Sequence, residues 1–190
     1  MLFRSVLRGV SSPALMDTYQ SEREPNLLAW THLSIETGKV TSVLDPEEAA
    51  RRDEAFRTGN APPMPTIPPL SGIVRPQAGA GELGLQAVVR HGSAEGLFDD
   101  VIGGGFTVVS TVADPAGFLD VRQLKFLSDI DSRVVHIGGD VVDVKGKYES
   151  YLAEKGWEVV VTRPDFYVFG GGSLAELPGI IDELAGHLKV

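Results

Sequence analysis

Hydrophobic positions are patterned most densely between Trp157 and Leu188. Glu158-Val159-Val160-Val161-Thr162 is β-branched almost throughout and Phe166-Tyr167-Val168-Phe169 is rich in aromatic residues, as a half-buried pleated surface selects. The pattern predicts a strand from Trp157 to Arg163, a tight turn at Pro164 and Asp165, and a return strand from Phe166 to Phe169. Gly170-Gly171-Gly172 reads as a turn out of this hairpin. Ser173 and Glu176 then have capping-box spacing, and Leu177, Ile180, Ile181, Leu184 and Leu188 recur at the helical period. A closing helix with one apolar face on the hairpin follows.

From the start of the chain, Ser12 and Pro13 open a helix that runs through Leu15, Met16 and Tyr19 toward Arg23. Pro25 predicts a break, after which a second helix covers Leu27 to Gly38. Asp45-Pro46-Glu47-Glu48 opens a short charged helix to about Thr58, with acidic side chains where the macrodipole favours them. Prolines 62, 63, 65, 68, 69 and 76, interspersed with glycine and alanine, make Gly59 to Gly84 a connector or a loop draped over another surface. Beyond it come a strand at Leu85 to Arg90, a strong strand at Phe106 to Thr111 and a helix opened by Asp114-Pro115. A strand at Val134 to Ile137, a short extension at Val141 to Val144 and a helix from Lys145 to Lys155, closed by Gly156, follow.

These elements give the order β-α-β-α-β-β-α, that of the thioredoxin fold: an α/β chain with a thioredoxin-like mixed sheet, helices on both faces and an N-terminal helical arm. The expected division is an arm over residues 1–58, a Pro/Gly-rich connector over 59–84 and a compact domain over 85–190. With 190 residues, the chain is long enough for a single core with an appended arm.

Charge and composition then remove whole classes of function. A net charge of -9 argues against nucleic acid, whose phosphates demand a basic patch. The absence of cysteine excludes thiol exchange, disulfides and thiolate metal sites. No stretch approaches the ~20 apolar residues of a membrane span, so the expectation is a cytoplasmic protein with no membrane partner.

The candidate chemistry is thin. Gly170-Gly171-Gly172 lacks the lysine and hydroxyl of a P-loop, so a structural turn is preferred over an anion site, and Gly103-Gly104-Gly105 also reads as a turn. Asp99 and Asp100, taken as extended, point to opposite faces and do not form an acid–base pair. His32, His91, His136 and His187 show no metal-ligand spacing. Arg163-Pro164-Asp165 fits a turn, with pairing of Arg163 and Asp165 across an interface as the alternative. No catalytic, cofactor-binding or metal-ligating residue is assigned.

Several segments do resemble one family. Tyr19-Gln20-Ser21-Glu22-Arg23-Glu24-Pro25 resembles the YxxERxP helix of FAD-dependent aromatic hydroxylases, the group of phenol and 3-(3-hydroxyphenyl)propionate hydroxylases. Val6-Leu7-Arg8-Gly9 with Pro13-Ala14-Leu15 is similar to the segment leading into that helix. Leu97 to Phe106 resembles the LxDDxxGxGF motif, and Arg163-Pro164-Asp165-Phe166-Tyr167-Val168 the RPDxYV motif. The resemblance implies an enzyme using FAD and NAD(P)H, in which the cofactor carries the chemistry. Its members bind FAD through an N-terminal GxGxxG strand–turn–helix, an internal DG motif and a GD motif just before the helix matched here, and none of the three is read in this sequence. The expectation is therefore the C-terminal, accessory part of such a hydroxylase, structural or dimerising, with no cofactor bound by this chain alone. Its partners would be an FAD-binding domain and a second copy in a homodimer. Tyr19, Glu22 and Arg23 are the residues expected to hold the arm against the FAD domain, and Arg163, Asp165 and Tyr167 to support the hairpin or a dimer contact. The alternative is a stand-alone thioredoxin-like binding module without turnover.

Overall fold

A computed structural model describes residues 2–61 and 66–188. Pro62, Pro63 and Pro65 of the expected connector lie outside the described residues. The fold is α/β, built on a four-stranded mixed sheet with a smaller three-stranded sheet beside it and a helical arm at the N-terminal end.

The larger sheet contains β3 (Thr107–Ser110), β4 (Arg133–His136), β6 (Val159–Thr162) and β7 (Val168–Gly172) in the order β4-β3-β6-β7. β3 runs parallel to β4 and antiparallel to β6, and β6 and β7 form the terminal hairpin. Alternation along the strands divides the core. Val108, Val159, Val161 and Phe169 pack with Leu127, Ile180, Ile181 and Leu184 of α5 (Val121–Asp129) and α7 (Leu177–Leu188). Val109, Val160 and Val168 face the other way, against Phe98, Tyr148 and Leu152. Those three come from α4 (Phe98–Ile102) and α6 (Lys147–Lys155). The period of two thus places helices on both faces, as expected.

The small sheet was not anticipated as a unit. The expected strand at Leu85 begins only at Val88: β1 (Val88–His91) pairs with β2 (Ala94–Leu97) on one side and β5 (Val141–Asp143) on the other. The residues after β2 coil into α4, so Asp99 and Asp100 are helical rather than extended, and Asp99 accepts a hydrogen bond from Gln86 at 3.0 Å.

Further boundaries and caps differ from the expectation. Pro25 does not break the arm: α2 runs from Thr18 to Thr41, after a 3₁₀ turn at Pro13–Asp17 capped by Ser12. The ring removes one ladder donor, while the flanking turns, anchored by buried Glu22 and Asn26, hold the axis. The helix expected from Asp114 is only a 3₁₀ turn at Pro115–Phe118; α5 starts afresh behind Asp120, whose carboxylate and Gln123 form a complete capping box. At α7 the box is partial, because Glu176 accepts from both the backbone N–H and the hydroxyl of Ser173, each at 2.8 Å. These bonds from the Ser173 backbone and hydroxyl hold the Glu176 carboxyl below its ordinary range.

The largest correction concerns Gly170-Gly171-Gly172. It is not a turn but the buried body of β7, paired with Val161, Val160 and Val159. A Cβ on Gly171 would stand 2.4 Å from the Trp157 ring, so glycine lets that indole lie directly on the strand.

Residues 70–84 strap the outer edge of β7. Arg75 and Gly81 donate backbone bonds to Phe169 and Val168, each at 2.8 Å, Val168 donates to Glu82 at 2.9 Å, and Leu83 bridges Tyr167. The edge that would otherwise invite pairing is covered. At the N-terminal end, α1 (Leu2–Leu7) and the turn after it lay Val6, Val10 and fully buried Leu15 on the α5/α7 core. Charged α3 (Pro46–Arg57) begins behind Asp45, which accepts from Glu47 and Glu48, and Arg52 returns to the Val40 carbonyl at 2.8 Å.

Two tyrosines of α6 end between the sheets. Tyr148 donates to the Leu85 carbonyl at 3.2 Å, while the Tyr151 hydroxyl is buried without a hydrogen-bond partner among the described residues. Burial, then the charge of Asp99, pushes the Tyr148 phenol up; burial, then Glu82, pushes Tyr151 up to about 12. Both folded values lie above the ordinary value of about 10, so the neutral phenols contribute stability that is complete below pH about 10 and lost as pH rises toward 12. Absorbance titration at the phenolate band should show two late tyrosines that ionise only together with loss of the fold. Reversible early ionisation of every tyrosine in intact protein would contradict this.

Candidate functional site: the clamp between arm and hairpin

The hairpin turn is a three-residue loop closed by Arg163 accepting from Phe166 at 3.0 Å and donating to Tyr167 at 2.8 Å through backbone groups. Phe166 adopts φ 70 there, the left-handed conformation that usually falls to glycine in such loops. Phe166→Gly should therefore stabilise the protein by about 1 kcal/mol, read as a higher denaturant midpoint. A lower midpoint would mean that the half-exposed ring packs well enough to outweigh the strain.

This turn aims Arg163 inward. Its side chain is 7% exposed and its partner Glu22, on α2, only 2%. One terminal nitrogen of Arg163 serves both Glu22 and the Ile73 carbonyl, the latter at 2.8 Å. The other nitrogens grip Asp165 bidentately at 3.1 and 2.9 Å. Asp165 also receives Arg23 at 2.5 Å, and the Arg23 guanidinium lies 5.9 Å from the centroid of the buried Tyr167 ring. Burial alone would push Arg163 down, but its hydrogen bonds to Glu22 and Asp165 prevail and hold the guanidinium above its ordinary value. Positive and negative charges alternate from buried Glu22 and Arg163 out to half-buried Asp165 and Arg23, which is how the two buried charges become tolerable.

Tyr19 stands at the rim, 57% exposed. It lines a cleft of about 470 Å³ with Glu22, Arg23, Arg163 and Asp165, whose apolar wall includes Met16 and Phe106. The structure thus brings five of the sequence-selected residues to one cleft and sets Tyr167 under Arg23 beside it. Arg163 has more than a local turn role, because its main partner is 141 residues away. Ile73 and Gly72 were missed. Gly72 passes so close that a Cβ would stand 2.9 Å from the Glu22 side chain, and nothing in a proline-rich segment signals such an approach.

The described residues contain no group of three or more potential metal ligands among His, Asp and Glu. Flavin phosphates call for a glycine loop that leads from a strand into a helix. One literal GxGxxG string, Gly79 to Gly84, escaped the sequence reading, but it lies in the strap over β7 and leads into a strand. A Cβ on Gly81 would stand 2.0 Å from the Leu70 carbonyl, so close packing explains that glycine, and the string does not fit a dinucleotide. No helix of the described residues is long and apolar enough to cross a membrane.

Fold and site define an α/β domain locked to a helical arm by a buried ion pair, Glu22 with Arg163, and a partly exposed one, Arg23 with Asp165. The chain belongs to the HcaD C-terminal domain family, which it matches over residues 81–187. It is 32% identical over 185 residues, 90% of its length, to a probable NADH-specific resorcinol 4-hydroxylase of Rhodococcus jostii, and covers 34% of that protein. It is 27% identical to the 3-(3-hydroxy-phenyl)propionate/3-hydroxycinnamic acid hydroxylase of Mycolicibacterium smegmatis, covering 98% of this chain and 39% of the relative. The chain therefore spans a little over a third of the curated relatives it matches. Among solved structures, aklavinone-11 hydroxylase with FAD and aklavinone superposes over 97% of this chain and 38% of its own, with TM-score 0.63 at 15% identity. The flavin-dependent monooxygenase PieE with FAD and substrate gives TM-score 0.61 at 18% identity, over 98% of this chain and 42% of its own.

Proposed function

We propose that this chain is the C-terminal accessory part of an FAD-dependent, NAD(P)H-using aromatic hydroxylase, structural rather than catalytic, working in the cytoplasm. The observation that carries this reading is the family match over residues 81–187 in a chain that covers only about a third of its hydroxylase relatives. In this reading residues 1–58 are the tail of the flavin and substrate region, 59–84 the connector and 85–190 a thioredoxin-like domain. The strand order β4-β3-β6-β7, with one parallel pair and a terminal antiparallel hairpin, supports the thioredoxin-like assignment. The clamp gives the accessory role its physical content: Glu22 and Arg23 on the arm meet Arg163 and Asp165 on the domain, fixing one against the other.

The test is an absorbance spectrum of the purified chain after incubation with FAD and desalting. A flavin-free protein is expected, and flavin retained at stoichiometric occupancy would overturn the accessory reading. The cleft beside the clamp favours a second reading, a binding module without turnover. A thermal shift of the flavin-free chain with phenolic ligands, lost in Met16→Trp, would support that module.

A further inference from the structure

The cleft beside the clamp is built jointly by the arm and the domain. Phe3, Met16 and Tyr19 line it from one side, and Phe106, Pro164 and Leu188 from the other. Its volume of about 470 Å³ falls in the range of small-molecule sites, which favour the seams between parts of a chain. Phe3 and Tyr19 are 63% and 57% exposed, and both would be covered by an occupant. Aromatic rings and the Met16 thioether alike favour a flat ring as their neighbour. Polar groups in the same walls are short of partners. Arg23 gives Asp165 one terminal nitrogen at 2.5 Å, and its other N–H groups have no hydrogen-bond acceptor among the described residues. Ser5 is 8% exposed, and its hydroxyl meets no hydrogen-bond partner among the described residues. An occupant therefore needs an acceptor atom but no charge. Glu22, Arg163, Asp165 and Arg23 already balance, so a carboxylate would leave the site negative in a chain of net charge -9.

We infer that this cleft takes an uncharged aromatic molecule bearing a hydrogen-bond acceptor, and that its occupant latches the arm to the domain. This rests on the reading of the cleft as a binding site given above and adds the class of ligand and a consequence. A ring between the two walls is gripped fully only while the arm is docked. By linkage the ligand then shifts the arm toward the docked state by the same factor by which docking raises its affinity. The acceptor is placed at the free N–H groups of Arg23, the residue that also ties α2 to Asp165. Ligand and clamp thus act on the same seam, one through apolar walls and the other through ion pairs.

The experiment titrates the 190-residue chain with acetophenone, benzoate and ethylbenzene, which share a ring and differ in its head group. Affinity is read from NMR shift changes, and arm docking from amide hydrogen exchange over residues 18–26 of α2. Acetophenone is expected to bind about tenfold more tightly than either of the others and to slow that exchange, a bond from a charged donor accounting for its lead over ethylbenzene. Arg23→Met should remove the lead of acetophenone over ethylbenzene and leave ethylbenzene unaffected. Equal weakening of both ligands would mean that Arg23 acts only by holding the arm, and would overturn its role as donor. Benzoate binding as tightly as acetophenone would overturn the ligand class, and binding without slower exchange would overturn the latch; either leaves the cleft standing as a binding site. No binding of any of the three would overturn both this inference and the binding-module reading.

Discussion

Replacing Arg163 by methionine is expected to lower stability by about 3–5 kcal/mol, because it strands a carboxylate in a dry site. Glu22 is 2% exposed and would keep neither its guanidinium partner nor access to water. The Ile73 carbonyl would also lose its donor, and Asp165 would retain only Arg23. A guanidinium denaturation curve measures the loss, and a drop of less than 1 kcal/mol would show that the clamp is ornamental. The companion variant Arg163→Met/Glu22→Leu separates the two contributions. Removing both charges and filling the space with apolar atoms should restore most of the stability, since a buried pair is rarely worth more than a well-packed hydrophobic substitute. Alkaline pH should leave the pair intact, because Arg163, already the most basic kind of side chain, is held above its ordinary value by Glu22 and Asp165 despite its burial.

The second large effect is expected at Gly171. Valine there should destabilise by about 3 kcal/mol, at the upper end of the range for overpacking, because the obstacles are rigid. The new Cβ would meet ring atoms of Trp157 at 2.4 Å and the Val159 carbonyl at 2.9 Å, and β7 is held in register against β6 on one side and strapped by residues 70–84 on the other. Thermal melting of Gly171→Ala with and without Trp157→Leu tests the cause. The second change should return much of what the first removes; equal losses in both backgrounds would place the strain at the carbonyl instead of the ring.

The same glycine shows why part of the structure was legible and part was not. Strands β3, β4 and β6, the apolar side of α7 and the cap at Gly156 follow from local periodicity and turn chemistry, which the chain states in consecutive residues. A strand of three glycines carries no such signal. It exists because Trp157, Arg75 and Glu176 arrive from elsewhere to pack where side chains would have been. The small sheet was obscured for a related reason: β1 needs β5, some fifty residues on, to complete it. Pro25 misled in the opposite direction, since its local cost is real but smaller than the support given by the anchored turns around it. At the clamp, motif resemblance picked out Glu22, Arg23, Arg163 and Asp165, yet only the fold could show that they meet one another.

The reach of that meeting sets the order in which the molecule can be assembled. Glu22 and Arg163 are 141 residues apart, Arg8 and Asp131 are 123 apart, and Arg75 and Glu183 are 108 apart. During synthesis the arm emerges well before the hairpin, so Glu22 and Arg23 lack their partners until the hairpin has left the ribosome and closed, and loop closure over such lengths comes late. The arm, made long before the hairpin, is therefore fastened only after it. Until then its leucines are open to whatever reaches them first, a chaperone or a neighbouring chain.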